Sequence, residues 1–137
     1  MSTHRDDDFE LYDLRIEVEE IRGTCTCDHA IGESFSLCGG KIKLPPGQSF
    51  CLYALQATIP LLPAKQRGTH AHDWMTTDTR VVCPDPLCGL IMRIDRIGRR
   101  TLRHRDVSVV SLNNEGEVNT PDSEDADPTL DAPAIRG

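Results

Sequence analysis

Apolar and polar residues alternate strictly near the start of the chain. Within residues 9–21, Leu14, Ile16 and Val18 fall on one side of an extended backbone, and charged residues fall on the other. Successive side chains of a strand point to opposite faces of a sheet, so one face of this segment is apolar and the other polar. The pattern predicts a strand that is buried on one face.

Residues 33–38 repeat the alternation over a shorter length, with Phe35 and Leu37 on a common face. The diglycine at residues 39–40 predicts a tight turn, and the diproline at residues 45–46 should stop the strand that returns from it. This part of the chain therefore reads as a short hairpin followed by a loop.

Residues beyond the middle of the chain predict three further strands, over residues 80–83, 89–97 and 101–112. Gly98 and the two arginines that follow it indicate a turn between the last two strands. We therefore expect the domain to close with an antiparallel hairpin.

Residues 49–66 have helical spacing of apolar side chains, with Ser49 as the expected N-cap. Pro60 and Pro63 should kink or end this helix. The order of elements predicts an α+β domain over residues 9–112, in which a small antiparallel, partly curled β-sheet packs on one main helix.

Both ends of the chain differ in composition from this domain. Residues 1–8 are expected to be a flexible N-terminus without a secretory leader, and no apolar run is long enough to span a membrane. Residues 113–137 contain seven acids, a single base and three prolines, a composition typical of a disordered acidic tail. We therefore expect a cytoplasmic protein with no membrane partner.

The six cysteines are the residues that most narrow the chemistry. In a reducing compartment, clustered thiols favour metal or redox chemistry over structural disulfides. Two pairs, Cys25 with Cys27 and Cys83 with Cys88, lie in turn-like segments that resemble the knuckles of a zinc ribbon. These four thiols are the predicted metal ligands, with zinc expected first and iron–sulfur or copper sites left open.

His29 and Cys51 are alternate ligands for the same ion or members of a second group. Cys51 lies at the start of the predicted helix, where the unpaired amides favour a thiolate. A thiol-dependent enzyme or redox protein is therefore the alternative hypothesis, with Cys51 as the nucleophile, Cys25 or Cys27 as its partner thiol and His29 as the base. Whether the protein is an enzyme stays open.

Cys38 and the arginines near the end of the domain are weaker candidates for a functional site than the clustered cysteines. Cys38 stands alone at the end of a strand and reads as an ordinary packed side chain. Six arginines lie between residues 93 and 105, but the chain has a net charge of −7 and this segment lacks aromatic residues that could stack on bases. Nucleic acid is therefore not expected as a partner. We expect the partner to be an unidentified protein or small molecule.

The segments "GTCTCDHAIGESF", "FCLYALQATIPLLPAKQ" and "CPDPLCG" together resemble a family of small cysteine-containing bacterial proteins, found mainly in actinomycetes, that has no assigned activity. The likeness covers residues 9–112 and excludes the tail. It rests on Gly23, Cys25, His29 and Gly32, and on Cys51 at a helix start. The resemblance implies that Cys25, His29 and Cys51 form the primary centre.

Overall fold

A computed structural model describes residues 7–112 of the chain. The acidic tail and most of the flexible N-terminus predicted from the sequence lie outside these residues. The larger of two compact units is Glu10–Thr101, and residues 7–9 and 102–112 belong to the other. The fold is α+β, with strands predominating over short helices.

A five-stranded antiparallel sheet with two open edges forms the framework. Its strands are β1 (Asp8–Ile21), β2 (Ser34–Cys38), β3 (Lys41–Lys43), β4 (Arg80–Val82) and β5 (Leu90–Arg103), and their spatial order is β3-β2-β1-β5-β4. Leu14 is paired with Leu37 and Ile16 with Phe35 across β1 and β2. This register places the apolar positions predicted from the alternation on one face of the sheet.

Within residues 7–112, four short helices accompany the sheet: α1 (Leu52–Thr58), α2 (Leu62–Lys65), α3 (Trp74–Thr77) and α4 (His104–Val107). The segment expected to form one main helix thus contains both α1 and α2. Pro60 lies between them and Pro63 lies in the first turn of α2. Cys51, and not Ser49, is the N-cap of α1. None of the helices within residues 7–112 has the length and apolar character required to cross a membrane.

The apolar face of the sheet and the inner sides of α1 and α2 make up the core. Phe35, Leu14 and Ile16 are fully buried, and Ala54 and Leu62 belong to the same packed cluster. Burying a large aliphatic or aromatic side chain stabilises a fold by about 1.5–3 kcal/mol. This core supports one wall of the candidate site, because Ala54 and Leu90 of the cluster also line its cavity.

The closing hairpin predicted from the sequence is not formed, and β5 runs without interruption from Leu90 to Arg103. Gly98 has no left-handed backbone angle and does not reverse the chain. Interactions with β1 favour the continuous strand: Arg100 forms an ion pair with Asp13 at 3.1 Å, and Arg99 donates to the Tyr12 hydroxyl at 2.9 Å. The short helix α4 follows where a further strand was expected.

Glu19 gives the sheet a testable dependence on pH. Its hydrogen bond from Arg80, at 2.6 Å, together with contacts from Arg93, lowers the pKa of the Glu19 carboxyl from its ordinary value of 4.5. A carboxyl with a depressed folded-state pKa stabilises the fold above its unfolded pKa, and the stabilisation is lost as pH falls through the folded pKa. The contribution should therefore disappear under acid conditions.

We expect Glu19→Gln to weaken the dependence of stability on pH in the acid range. The measurement is the free energy of unfolding in urea at several values between about pH 7 and pH 3. Glu20→Gln is the matched control, because the ion-pair partner of Glu20 is the exposed Arg22. If the free energy of unfolding of Glu19→Gln falls with decreasing pH as steeply as that of the wild type, these ion pairs do not couple to folding.

Candidate functional site

The chain that follows β1 is held against the turn that precedes β5 by backbone hydrogen bonds. The amide of Arg22 donates to the Gly89 carbonyl at 2.9 Å, that of Gly23 to Cys88 at 3.1 Å, and that of Thr24 to Leu87 at 3.0 Å. A Cβ atom on Gly23 would lie only 2.0 Å from the Leu87 oxygen, so no other residue fits without displacing the backbone. This pairing carries Cys25 to the second cysteine pair.

Cys83 and Cys88 bracket the turn that joins β4 to β5. The Cys83 amide donates to the Leu90 carbonyl at 2.8 Å, and the Cys88 amide donates to the Asp85 carbonyl at 3.1 Å. The Asp85 side chain accepts from the Leu87 amide at 3.0 Å, and Gly89 takes a left-handed backbone angle, φ 64°. The sequence expectation of a tight turn carrying both thiols is met in this geometry.

The two thiols of this turn are buried and interact with each other. Burial, together with the neighbouring Cys83 thiol and the charge on Cys25, raises the pKa of the Cys88 thiol to about 11 against a lowering contribution from the Leu90 backbone. Each of the effects that raise this pKa disfavours an isolated thiolate. A bound cation would reverse this balance, since a metal ion stabilises the deprotonated ligand.

His29 is packed between the first cysteine pair and the start of α1. Its Nδ1 lies 2.6 Å from a carboxylate oxygen of Glu33, and its Nε2 accepts a hydrogen bond from the Cys51 amide at 3.0 Å. The ring also packs against Phe50 at a tilt of 42°, with centroids 4.4 Å apart. Because the amide must donate, Nε2 is the acceptor and Nδ1 carries the proton in this arrangement.

Both ring nitrogens of His29 are therefore engaged. The contact also lowers the pKa of the Glu33 carboxyl, with the hydrogen bond from His29 as the largest cause. In this arrangement neither nitrogen is free to bind a metal ion or to accept the proton of Cys51. The structure instead gives His29 a role as a clamp on the backbone at the start of α1, which sequence reasoning did not foresee.

Cys51 and Cys27 form a second interacting pair of thiols. Burial raises the pKa of Cys51, but the nearby Ala54 amide, the Cys27 thiol and the Tyr53 amide lower it, and the pKa ends below its ordinary value of 9.0. Neither amide makes a full capping hydrogen bond to the sulfur. The Cys27 thiol donates toward Cys51, and this interaction, with smaller contributions from desolvation and from the charges of the neighbouring thiolates, raises the pKa of Cys27 to about 11.

One cavity of about 440 Å³ collects these side chains, and we call it the thiol cavity. Five of the six cysteines line it together with His29: Cys25, Cys27, Cys51, Cys83 and Cys88. Cys38 is not among the lining residues. All four predicted ligands and both alternates therefore lie around the same space, although three separate segments of the chain supply them.

The cavity is a collection of donors and not a formed coordination site. Within residues 7–112, no three His, Cys, Asp or Glu side chains stand ready to hold a metal ion about a common point. All six cysteines are free thiols. The metal ligands predicted from the sequence thus remain a prediction about what these thiols do when an ion is supplied.

The six arginines of residues 93–105 are largely committed to partners on the protein. Arg93 pairs with Glu17 at 2.9 Å and with Asp95 at 2.8 Å. Arg96 donates to the Lys65 carbonyl at 2.8 Å, and its guanidinium lies over the Tyr12 ring. Carboxylates and carbonyls of the fold therefore occupy much of the basic surface that the sequence presents.

The histidines of the loop before α3 also have structural partners. His70 Nδ1 accepts from the His72 amide at 3.0 Å. Asp73 is the N-cap of α3 and accepts from the Met75 amide at 2.9 Å. These contacts shape the loop, and none of the three residues lines the thiol cavity.

Lys65, which the sequence reasoning passed over, is a buried cation in the core. Its Nζ donates to the Met75 carbonyl at 2.7 Å and to the Thr76 carbonyl and the Thr79 hydroxyl at 3.3 Å. Burial lowers the pKa of this lysine, and the charge on Arg96 lowers it further. The three contacts use the three protons of the ammonium group, so Lys65 acts as a tie between α2 and the α3 segment.

Comparison of the chain with known protein families, with curated proteins and with solved structures finds no match in any of the three.

Proposed function

We propose that the protein binds a metal ion through the thiolates of the thiol cavity, with zinc as the expected ion. The observation that carries the proposal is the convergence of Cys25, the Cys27–Cys51 pair and the Cys83–Cys88 pair on one space. Thiolates are the ligands that zinc shares with copper(I) and iron–sulfur clusters. A set of sulfur donors without a free imidazole favours these soft-ligand metals over magnesium or calcium.

Cys25, Cys83 and Cys88 are the proposed ligands in every version, completed by either Cys27 or Cys51. The other polar side chains of the cavity are less suitable, because His29 uses both nitrogens and Asp85 accepts from the Leu87 amide. Structural zinc sites use four such ligands. A four-thiolate site leaves no coordination position open for a substrate.

The energies make ligation feasible although no site is formed in advance. A cysteine sulfur moves by rotation about one bond, and an off-rotamer side chain costs about 0.5–1.5 kcal/mol. Zinc binding to structural thiolate and imidazole sites contributes about 10–16 kcal/mol at neutral pH. The free-energy cost of turning four side chains inward is therefore small compared with the free energy of zinc binding.

We further propose that the protein works in the cytoplasm as a binding or accessory module. Six free cysteines suit a reducing compartment, where thiols persist. The pairing of β5 arginines with β1 acids supports the expectation that nucleic acid is not a partner.

Metal content tests the proposal directly. Protein purified without oxygen and without chelators should contain about one zinc per chain by elemental analysis, with few thiols open to alkylation. Cys88→Ser should lower the bound zinc to well below one per chain. Cys38→Ser is the matched control, because Cys38 does not line the cavity, and it should retain the ion.

A thiol enzyme or redox protein is the second candidate, favoured by the Cys27–Cys51 interaction and by the lowered pKa of Cys51. It predicts the opposite result: a metal-free wild type with one thiol that alkylates much faster than the others. Retention of a full equivalent of metal by Cys88→Ser would also count against the zinc site. His29 does not act as a base in this version unless it releases the Cys51 amide.

A further inference from the structure

The thiol cavity contains one more thiol than a tetrahedral ion requires. Five cysteines line it, whereas structural zinc takes four protein ligands. We infer that the fifth, Cys27, is an exchange thiol through which the ion enters and leaves, and that Cys51 completes the resting ligand set. This inference rests on the proposed metal binding and adds that the ion is a cargo exchanged with thiol-bearing partners.

The position of Cys27 in the chain separates it from the other four thiols. It occupies a turn closed by the Asp28 amide and the Cys25 carbonyl, 3.4 Å apart. The two ends of this turn are anchored, because Thr24 bonds to Leu87 and His29 holds the Cys51 amide. Cys27 therefore lies near the middle of the span between the two anchors, whereas Cys25 directly follows the first of them.

Exposure of the thiols follows the same division. Cys83 and Cys88 are buried, Cys25 and Cys51 are partly buried, and Cys27 is exposed. A metal ion moves between thiolate sites by ligand exchange, and the first contact must be made by a thiol that a partner can reach. The gradient thus leads from an accessible thiol to ligands that retain the ion.

Cys51 is better suited than Cys27 to be a permanent ligand. It begins α1, and its backbone amide is fixed by the imidazole of His29, which Glu33 orients from the other side. A ligand held by such contacts binds a metal more tightly than one on a free turn. The partial burial of Cys51 also leaves it less accessible to competing thiols than the exposed Cys27.

The partner chemistry is a zinc ion carried by small or protein thiolates. In the first step a bond forms between zinc and the Cys27 sulfur, and one bond between zinc and a donor thiolate breaks. The proton of Cys27 passes to the departing sulfur, so the step needs no oxidant. Bonds to Cys25, Cys51, Cys83 and Cys88 then replace the three remaining donor bonds and the bond to Cys27. The protons of these four thiols pass to the three displaced donor sulfurs and back to Cys27.

The test separates the rate of exchange from affinity. Zinc is supplied as its glutathione complex. Its uptake is followed by stopped-flow, with a colorimetric chelator reporting the zinc that the protein has not bound. Equilibrium affinity is measured by competition with the same chelator. The proteins compared are the wild type, Cys27→Ser, Cys51→Ser and Cys38→Ser, each full length and with folding checked by circular dichroism.

We expect Cys27→Ser to keep one zinc per chain with an affinity within about threefold of wild type, and to take up zinc at least about tenfold more slowly. Cys51→Ser should lose affinity, and Cys38→Ser should match the wild type in both measurements. Loss of stoichiometric zinc from Cys27→Ser, or an unchanged rate, would overturn the exchange role alone. A wild type that binds no zinc would overturn the proposed function, and the exchange role with it.

Discussion

Gly23→Ala should abolish tight metal binding and destabilise the protein by about 3 kcal/mol, the upper part of the usual range for overpacking. The added Cβ would stand 2.0 Å from the Leu87 oxygen and 2.8 Å from the Cys88 oxygen. Both contacts are with backbone atoms, which cannot turn aside as a flexible side chain could. The pairing of residues 22–24 with residues 87–89 must therefore open, and Cys25 must move away from the Cys83–Cys88 turn.

Zinc competition and urea unfolding measure the two parts of this result. Gly98→Ala is the matched control, because it adds the same methyl group within β5 where no atom lies within 4 Å. The control should bind zinc normally and lose little stability. If Gly23→Ala behaves like Gly98→Ala in both assays, the backbone pairing does not hold the cavity together.

His29→Leu should weaken zinc binding by about 10–100-fold, the range seen when a residue that orients a metal ligand is removed. Leucine fills space beside Phe50 but cannot accept the hydrogen bond of the Cys51 amide, which would be left without its 3.0 Å partner. A buried donor without a partner costs about 1–3 kcal/mol. The start of α1 should shift and carry the Cys51 sulfur with it.

His29→Gln separates this positioning role from general packing. The glutamine side-chain oxygen can accept a hydrogen bond from the Cys51 amide in place of Nε2. This variant should therefore recover much of the zinc affinity that His29→Leu loses. The charge-transfer absorbance of a cobalt-substituted site gives a readout of ligand geometry that a purely structural role would not move. Equal loss in the two variants would indicate that the imidazole itself is a ligand.

Strands with one buried face were predictable because alternation leaves a direct trace in the sequence. Leu14, Ile16 and Val18 are all buried, as the pattern of β1 indicated. The end of β5 was not predictable in this way. Gly98 reads as a turn residue, but the continuous strand lets Arg99 and Arg100 reach Tyr12 and Asp13, and tertiary contacts of this kind override local turn preference.

The candidate site was predictable in part, because clustered cysteines are recognisable in a sequence as candidate metal ligands or redox thiols. The spacing of the two pairs indicated turns, and the order of elements suggested that they could meet. The pairing of residues 22–24 with 87–89 left no such signal, because backbone amides and carbonyls form it and Gly23 alone hints at a close approach. The engagement of both His29 nitrogens depends on partners 4 and 22 positions away, Glu33 and Cys51.

The walls of the thiol cavity come from the loop after β1, the start of α1 and the turn before β5, so no one of these segments encloses the cavity by itself. Each depends on the others for its shape, through Gly23 against Leu87 on one side and His29 against the Cys51 amide on the other. A substitution at one of these positions should therefore disturb the side chains that the others place around the cavity. Among descendants of a common ancestor, these glycine, histidine and cysteine positions should be inherited or lost as a group.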